Sequence, residues 1–309
     1  MIFCGTQLLP GEQKPAAVPV PGAAPLTAFC FCGKKPGKTL VVTAGVHGCE
    51  YVGIQALRRL AQELDPETLS GSVVLLPLAN PSAFYAGSKQ VVPEDGLNLN
   101  RAFPGNPEGS LSARLAWALE AALYPAADFL LDLHGGDWNE ALEPLVFVPA
   151  GGTPAVNQAA EKAAQVLAVP YQVPSQARNG LYRWAVQQNI PSLLLERGGR
   201  GAWSEGEVQD ACRDVRALLQ HLAILPGRVQ PQIQRKLCRA SYVEAEAPGF
   251  WQPVKSPGAT ISQGELLGKL ETLTGSLLQE VRAQYDGVIL YQTVALGVRK
   301  GESLLAYGQ

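Results

Sequence analysis

Four near-continuous apolar runs, at residues 40–44, 72–78, 129–133 and 192–195, alternate with stretches of helical period. A strand without polar alternation must be covered on both faces, and the segments between the runs supply the covers. Residues 53–64 carry Ile54, Leu57, Leu60, Ala61 and Leu64 at helical spacing, and Asp65-Pro66 stops them. The spacing also predicts helices over 110–123, with Ser110 or Ser112 as N-cap, and over 156–167, 181–188 and 205–222. The expectation is an α/β architecture, a mixed and mostly parallel sheet with helices on both faces. Residues 1–38, rich in Pro and Gly around the run 26–31, predict short edge strands leading into it.

At 309 residues the chain can hold more than one unit. Pro226-Gly227 closes the alternating part, and beyond about Leu237 short alternating segments are punctuated by Gly and Pro. We expect two domains, 1–230 and 231–309, the second all-β. Residues 261–267 and 298–304 form a weak repeat, with Gly249 and Gly287 at similar distances upstream. These halves look like the hammerhead β-sandwich of biotinyl and lipoyl carrier domains. The hairpin between them, 271–280, has no lysine to acylate, which argues against a carrier role.

A net charge of −2, from 25 basic and 27 acidic residues without like-charge runs, gives no footprint for nucleic acid or an anionic membrane. The partner expected is a small molecule or peptide; a homo-oligomer is left open. The first residues lack the basic flank of a signal peptide and soon meet Pro10-Gly11, so a cytoplasmic location is expected. Six cysteines occur without a Cys-x-x-Cys pair. Cys30 and Cys32 alternate with Phe29 and Phe31 as small apolar residues of a buried strand.

The first apolar run breaks at Gly45 and delivers His47 and Glu50, three residues apart at a helix start, where both can face one point. A lone His-x-x-Glu is a weak zinc signal. His134 and Glu196, however, also follow apolar strands, and ligands of open α/β sheets collect outside the carboxyl ends of strands. The chain has three histidines, and two sit at these ends; His221, late in a helix near Pro226, reads as a C-terminal helix residue favoured by the dipole. Two histidines and one glutamate leave an open zinc position, the arrangement of a hydrolytic site. Glu196 is then the carboxylate that takes a proton from water, because a buried unpaired acid should line a cavity. Arg101, beside Asn100 on a Gly-bounded loop, suits a substrate carboxylate.

At these residues the chain resembles the succinylglutamate desuccinylase and aspartoacylase family of zinc hydrolases, related in fold to metallocarboxypeptidases. The matching pieces are Gly45-Val46-His47-Gly48-Cys49-Glu50, Asn80-Pro81, Asn98-Leu99-Asn100-Arg101-Ala102-Phe103-Pro104-Gly105, Asp132-Leu133-His134 and Leu195-Glu196-Arg197-Gly198-Gly199. Their order fits the whole chain, since the family also carries a C-terminal β-domain. The resemblance implies a zinc carboxypeptidase-like fold and one zinc per chain on His47, Glu50 and His134. It also implies Glu196 as general base and later acid, with Asn100 and Arg101 on the substrate's carboxylate.

Two positions depart from the family pattern. The arginine that polarises the scissile carbonyl is missing, and the nearest basic residue is Lys89. The aspartate that supports a zinc histidine is Asn98, which can still orient an imidazole through its carbonyl. The activity expected is zinc-dependent amide hydrolysis on an N-acyl amino acid or small peptide-like substrate with a carboxylate, Lys89 meeting the oxyanion. The alternatives are a metallocarboxypeptidase acting on peptides and a carboxylate-binding member without catalysis. The β-domain is expected to restrict access, with Tyr285 a candidate to reach the site and the packing of Tyr285 within its own sandwich as the competing expectation. Arg178 and Arg183 could meet a second carboxylate or face solvent.

Overall fold

The computed structural model describes residues 1–309. Nine strands form the main sheet in the order Arg235–Lys236, Tyr171–Ser175, Leu145–Pro149, Ser192–Glu196, Phe129–His134, Lys35–Ala44, Ser70–Leu76, Leu26–Cys32 and Glu12–Val18. Five neighbouring pairs are parallel and three antiparallel, so the sheet is mixed and mostly parallel. The predicted N-terminal edge strands are the antiparallel pair at one side.

Side-chain alternation along the central strands sorts two hydrophobic clusters onto the two faces. Val41, Leu130 and Leu194 join the helices Leu111–Leu123 and Leu181–Gln187 in one. Leu40, Val42, Leu131, Leu133, Leu193 and Leu195 join Tyr51–Glu63, Pro154–Ala164 and Glu205–His221 in the other. Cys30 and Cys32 are buried and unpaired, as their alternation predicts. The short helix Pro81–Ala86 was not read from the periodicity; Asn80 caps it by accepting from the Ala83 amide. No helix is long and apolar enough to cross a membrane.

From Ala240 to Gly308 every element is a strand. One sheet orders Ala240–Glu244, Ser303–Gly308, Gly287–Thr293 and Thr260–Ile261; a four-stranded sheet orders Leu277–Arg282, Leu266–Glu271, Gly249–Pro253 and Gly297–Val298. Trp251, Leu267, Leu270, Ile289 and Leu305 belong to the cluster these strands bury. The two parts of the chain interlock. Arg235–Lys236, a few residues beyond 230, extends the main sheet, and Glu140–Leu142 pairs antiparallel with Gly287–Thr293.

Candidate metal centre and substrate cavity

Gly45, at φ +68°, turns the chain out of the strand Lys35–Ala44, and residues 46–50 form a tight turn before the helix Tyr51–Glu63 begins. His47 and Glu50 therefore sit just ahead of the helix rather than on its first turn. A Cβ on Gly48 would lie 2.2 Å from the Ala83 carbonyl carbon, so only glycine lets this turn rest on the helix Pro81–Ala86. Glu50 occupies the N-cap position but caps nothing. Its carboxylate is turned to the histidines instead.

His47 Nδ1 lies 2.7 Å from Glu50 Oε1 and His134 Nδ1 lies 2.9 Å from Glu50 Oε2. The opposite ring nitrogens are occupied: His47 Nε2 is 3.2 Å from Asn98 Oδ1, and His134 Nε2 is 3.0 Å from Asp132 Oδ2. If these acceptors hold the ring protons on Nε2, both Nδ1 lone pairs face Glu50. Despite the 2.9 Å approach of His134, Glu50 Oε2 has no aligned hydrogen-bond donor. All three residues are buried, with one potential ligand atom from each lying within 4.8 Å of the others. With those tautomers a cation between the three groups would satisfy all of them, and two imidazoles with one carboxylate suit zinc. Asp132 and Glu50 raise the His134 pKa against the opposing effect of burial.

In the sequence Asp132 stands out only as part of the motif Asp132-Leu133-His134. It is fully buried, takes a 2.7 Å hydrogen bond from Thr43 Oγ1 across the sheet, and orients His134. Its signal was available, because a residue two before His134 on a strand shares its face. Asn98 orients His47 and also accepts from the Asn100 amide.

Glu196 ends its strand in register with His134 on the neighbouring one. It is 8% exposed and Oε2 has no hydrogen-bond partner. Burial pushes its pKa well up, with Glu50 and Glu140 adding to the rise and His134 opposing it. Just beyond, Arg197 is locked by a 2.6 Å contact from Nε to Asp214, which fixes the strand end that carries Glu196.

The same residues open onto a cavity of about 560 Å³ whose lining includes Asn100, Arg101 and Arg183. Asn100 Oδ1 accepts from the Leu181 amide, and Arg101 Nη1 donates to the Asn100 carbonyl. Arg183 lines this cavity, whereas Arg178 lines a neighbouring one. Lys89 is placed differently from the expectation. Its ammonium lies 3.7 Å from Asp137 Oδ2 and the residue is outside the cavity lining, where Gln90 stands. Gln90 Nε2 donates to the same Asp137 carboxylate at 2.9 Å.

Tyr285 follows the competing expectation. Its hydroxyl lies 2.8 Å from Ser241 Oγ and its ring packs by Tyr307, away from the cavity. The tyrosines that reach the cavity are Tyr242 and Tyr291. Tyr291 and Glu196 perturb each other's ionisation, yet neither the Tyr291 hydroxyl nor Glu196 Oε2 finds a partner at hydrogen-bond geometry. No local pattern marks these tyrosines, because long-range sheet pairing brings them in.

Residues 36–222 match the succinylglutamate desuccinylase/aspartoacylase catalytic domain. The chain belongs to the succinylglutamate desuccinylase/aspartoacylase family. Within this family it is similar to the N-alpha-acetyl-L-2,4-diaminobutyric acid deacetylase of Halomonas elongata, 30% identical over 278 residues that cover 87% of this chain and 81% of that one. The product-bound ectoine utilization protein EutE (DoeB) of Ruegeria pomeroyi superposes with a TM-score of 0.87 at 26% identity, covering 97% and 95% of the two chains. A succinylglutamate desuccinylase/aspartoacylase structure from Rhodobacter sphaeroides shares the fold, with a TM-score of 0.87 at 24% identity over 97% and 96%.

Proposed function

We propose that the protein is a zinc-dependent deacylase, cleaving the amide of an N-acyl amino acid that bears a free carboxylate. The observation that carries this reading is the convergence of His47, Glu50 and His134 beside the unpartnered Glu196 at one wall of the cavity. The family relationship and the deacetylase from Halomonas elongata support the reaction class.

His47, Glu50 and His134 would hold one zinc, with Asn98 and Asp132 fixing the imidazoles. Zinc bound there supplies Lewis acidity, lowering the pKa of a water to about 7 and polarising a carbonyl. Glu196 accepts the proton of the attacking water and passes it to the departing amine. Its raised pKa suits both halves of that task. Arg101 and the Asn100 side-chain amide hold the substrate carboxylate, the Asn100 Oδ1 bond to Leu181 turning Nδ2 outward. Lys89, held back by Asp137, assists the oxyanion through its charge rather than by a direct bond. In this reading 1–230 is the catalytic unit and 231–309 a hammerhead-like sandwich that narrows the entrance with Tyr242 and Tyr291.

Metal analysis and a hydrolysis screen of N-acyl amino acids test the proposal, with Glu196→Gln as control. Zinc near one per chain in both proteins, with turnover lost in the variant, is expected. Absence of zinc with no uptake on addition, or a variant as fast as wild type, would overturn it.

A further inference from the structure

The cavity has two chemically different ends. Arg101 donates to the carbonyl of Asn100, whose side chain in turn holds Leu181, whereas Glu140 is tied to Asp137 and Arg200 beside the segment that follows His134. Both groups line the cavity, with the histidines and Glu196 also on its wall. If Arg101 holds the carboxylate of the amino-acid half, the half of the substrate across the scissile bond meets Glu140.

Glu140 is rigidly held. It opens the strand Glu140–Leu142 and pairs with Thr293, its amide donates to the Asp137 carbonyl, and its carbonyl accepts from the Arg200 amide. Gly136 and Gly199 come so close to that carbonyl that a Cβ on either would lie within 2.6 Å of it. The side chain therefore projects from a fixed backbone. No side-chain donor bonds its carboxylate, and the nearby Lys89 is paired with Asp137. Burial and the neighbouring Asp137 push the Glu140 carboxyl up to about 7, a rise that a positive charge at this wall would reverse.

A second group points the same way. Tyr291 is 8% exposed, lines the cavity, and leaves its hydroxyl unpartnered; Glu140 is among the charges that act on it. A half-buried carboxylate without a side-chain donor and a buried hydroxyl without a partner are best relieved by a ligand that brings a positive charge and several N–H groups. A primary ammonium does both.

We propose that Glu140 is a specificity-determining residue that receives an ammonium on the acyl half of the substrate, so that the preferred substrates are aminoacyl amino acids rather than simple N-acyl ones. The proposal rests on the deacylase reading, since it assigns the two halves of the substrate about the same metal centre. Plain acetyl or propionyl groups would leave Glu140 without a partner.

The test compares glycyl-, β-alanyl- and γ-aminobutyryl-L-alanine with the acetyl, propionyl and butyryl compounds of matching length on zinc-loaded protein. At least one aminoacyl compound should exceed its uncharged counterpart by about tenfold or more in kcat/KM. Glu140→Gln should collapse that ratio toward one mainly through KM, and Glu140→Asp should keep part of it. N-acetyl-L-2,4-diaminobutyrate, with its ammonium on the amino-acid half, separates the two positions. A preference for it that matches or exceeds the aminoacyl preference would overturn the assignment to the acyl half.

Calorimetric binding of glycyl-L-alanine and N-acetyl-L-alanine to Glu196→Gln, with and without Glu140→Gln, keeps the proposal independent of turnover. Loss of all hydrolysis would count against the deacylase reading, while the binding preference would still decide the role of Glu140. Equal binding of the two compounds, or a preference unmoved by Glu140→Gln, would overturn the proposal.

Discussion

Asp132 Oδ2 lies 3.0 Å from Nε2 of His134, two residues along the same strand, while Asp132 Oδ1 takes the hydroxyl of Thr43 from the neighbouring strand. The sheet itself thus sets the direction in which His134 presents Nδ1. Replacing Asp132 with Asn keeps the shape but removes the charge that makes the imidazole a better donor. Zinc affinity should fall by about 10–100-fold, the cost usual for a partner behind a metal ligand. Competition with a chelator measures it, and unchanged affinity would show that Asp132 matters only for packing.

Gly48 has no room for a side chain. In Gly48→Ala the new carbon would press on the backbone of Ala83 and Phe84, so the turn carrying His47 and Glu50 must move. Overpacking of this kind costs about 1–3 kcal/mol. Thermal denaturation should register the loss, and zinc retention should fall with it. A variant with normal stability and metal content would mean that the helix Pro81–Ala86 yields.

Asp95 carries the acid-sensitive link between residues 88–98 and the helix Leu111–Leu123. It accepts from the Ser112 amide at 2.7 Å and from the Ser112 hydroxyl. Partial burial raises its pKa, but the Ser112 bonds outweigh burial and leave it lowered. A carboxyl lowered in the fold stabilises above its unfolded value of about 3.9, and that stability is lost as pH falls through the folded value. Asp95→Ala should therefore cost about 2 kcal/mol at pH 7. The gap from wild type should narrow progressively below about pH 4. Urea unfolding at several pH values checks both; a gap independent of pH would rule out the ionised bond as its source.

Tyr242, exposed at 61%, forms part of the cavity wall without supporting a core. In Tyr242→Ala the discrimination between an N-acetyl amino acid and a longer N-acetyl peptide should weaken severalfold, with little change in melting temperature. If the preference for short substrates is unchanged, Tyr242 does not restrict entry.

Much of this arrangement was legible because it depends on local pattern. Apolar runs at 40–44 and 129–133 must become buried strands, and a strand places its last and next residues at a sheet end; His47, Glu50, His134 and Glu196 were found by that rule. Asn98 was also legible as a partner of an imidazole. The strands Leu145–Pro149 and Tyr171–Ser175 were missed, since each is short and bracketed by prolines. Gln90 lines the cavity where Lys89 was expected; both reach the Asp137 carboxylate, and which of the two neighbours faces the cavity is set by the bends of this loop, which no spacing rule reports. Tyr242, Tyr291 and Glu140 depend on pairing between distant segments, which no window of sequence reports.

The strand Glu140–Leu142 has a consequence for how the protein is made. Its neighbour Asn139 bonds Thr293, 154 residues further along the chain. During synthesis at about 5–20 residues per second, this stretch waits roughly 8–30 s for its partner to emerge. Throughout that delay these residues have no strand to pair with, and their free backbone groups are open to unwanted pairing. Their dependence on non-local pairing makes this cavity wall a late-forming part of the molecule. A nascent chain can thus bring His47, Glu50 and His134 together well before this wall of the cavity is in place.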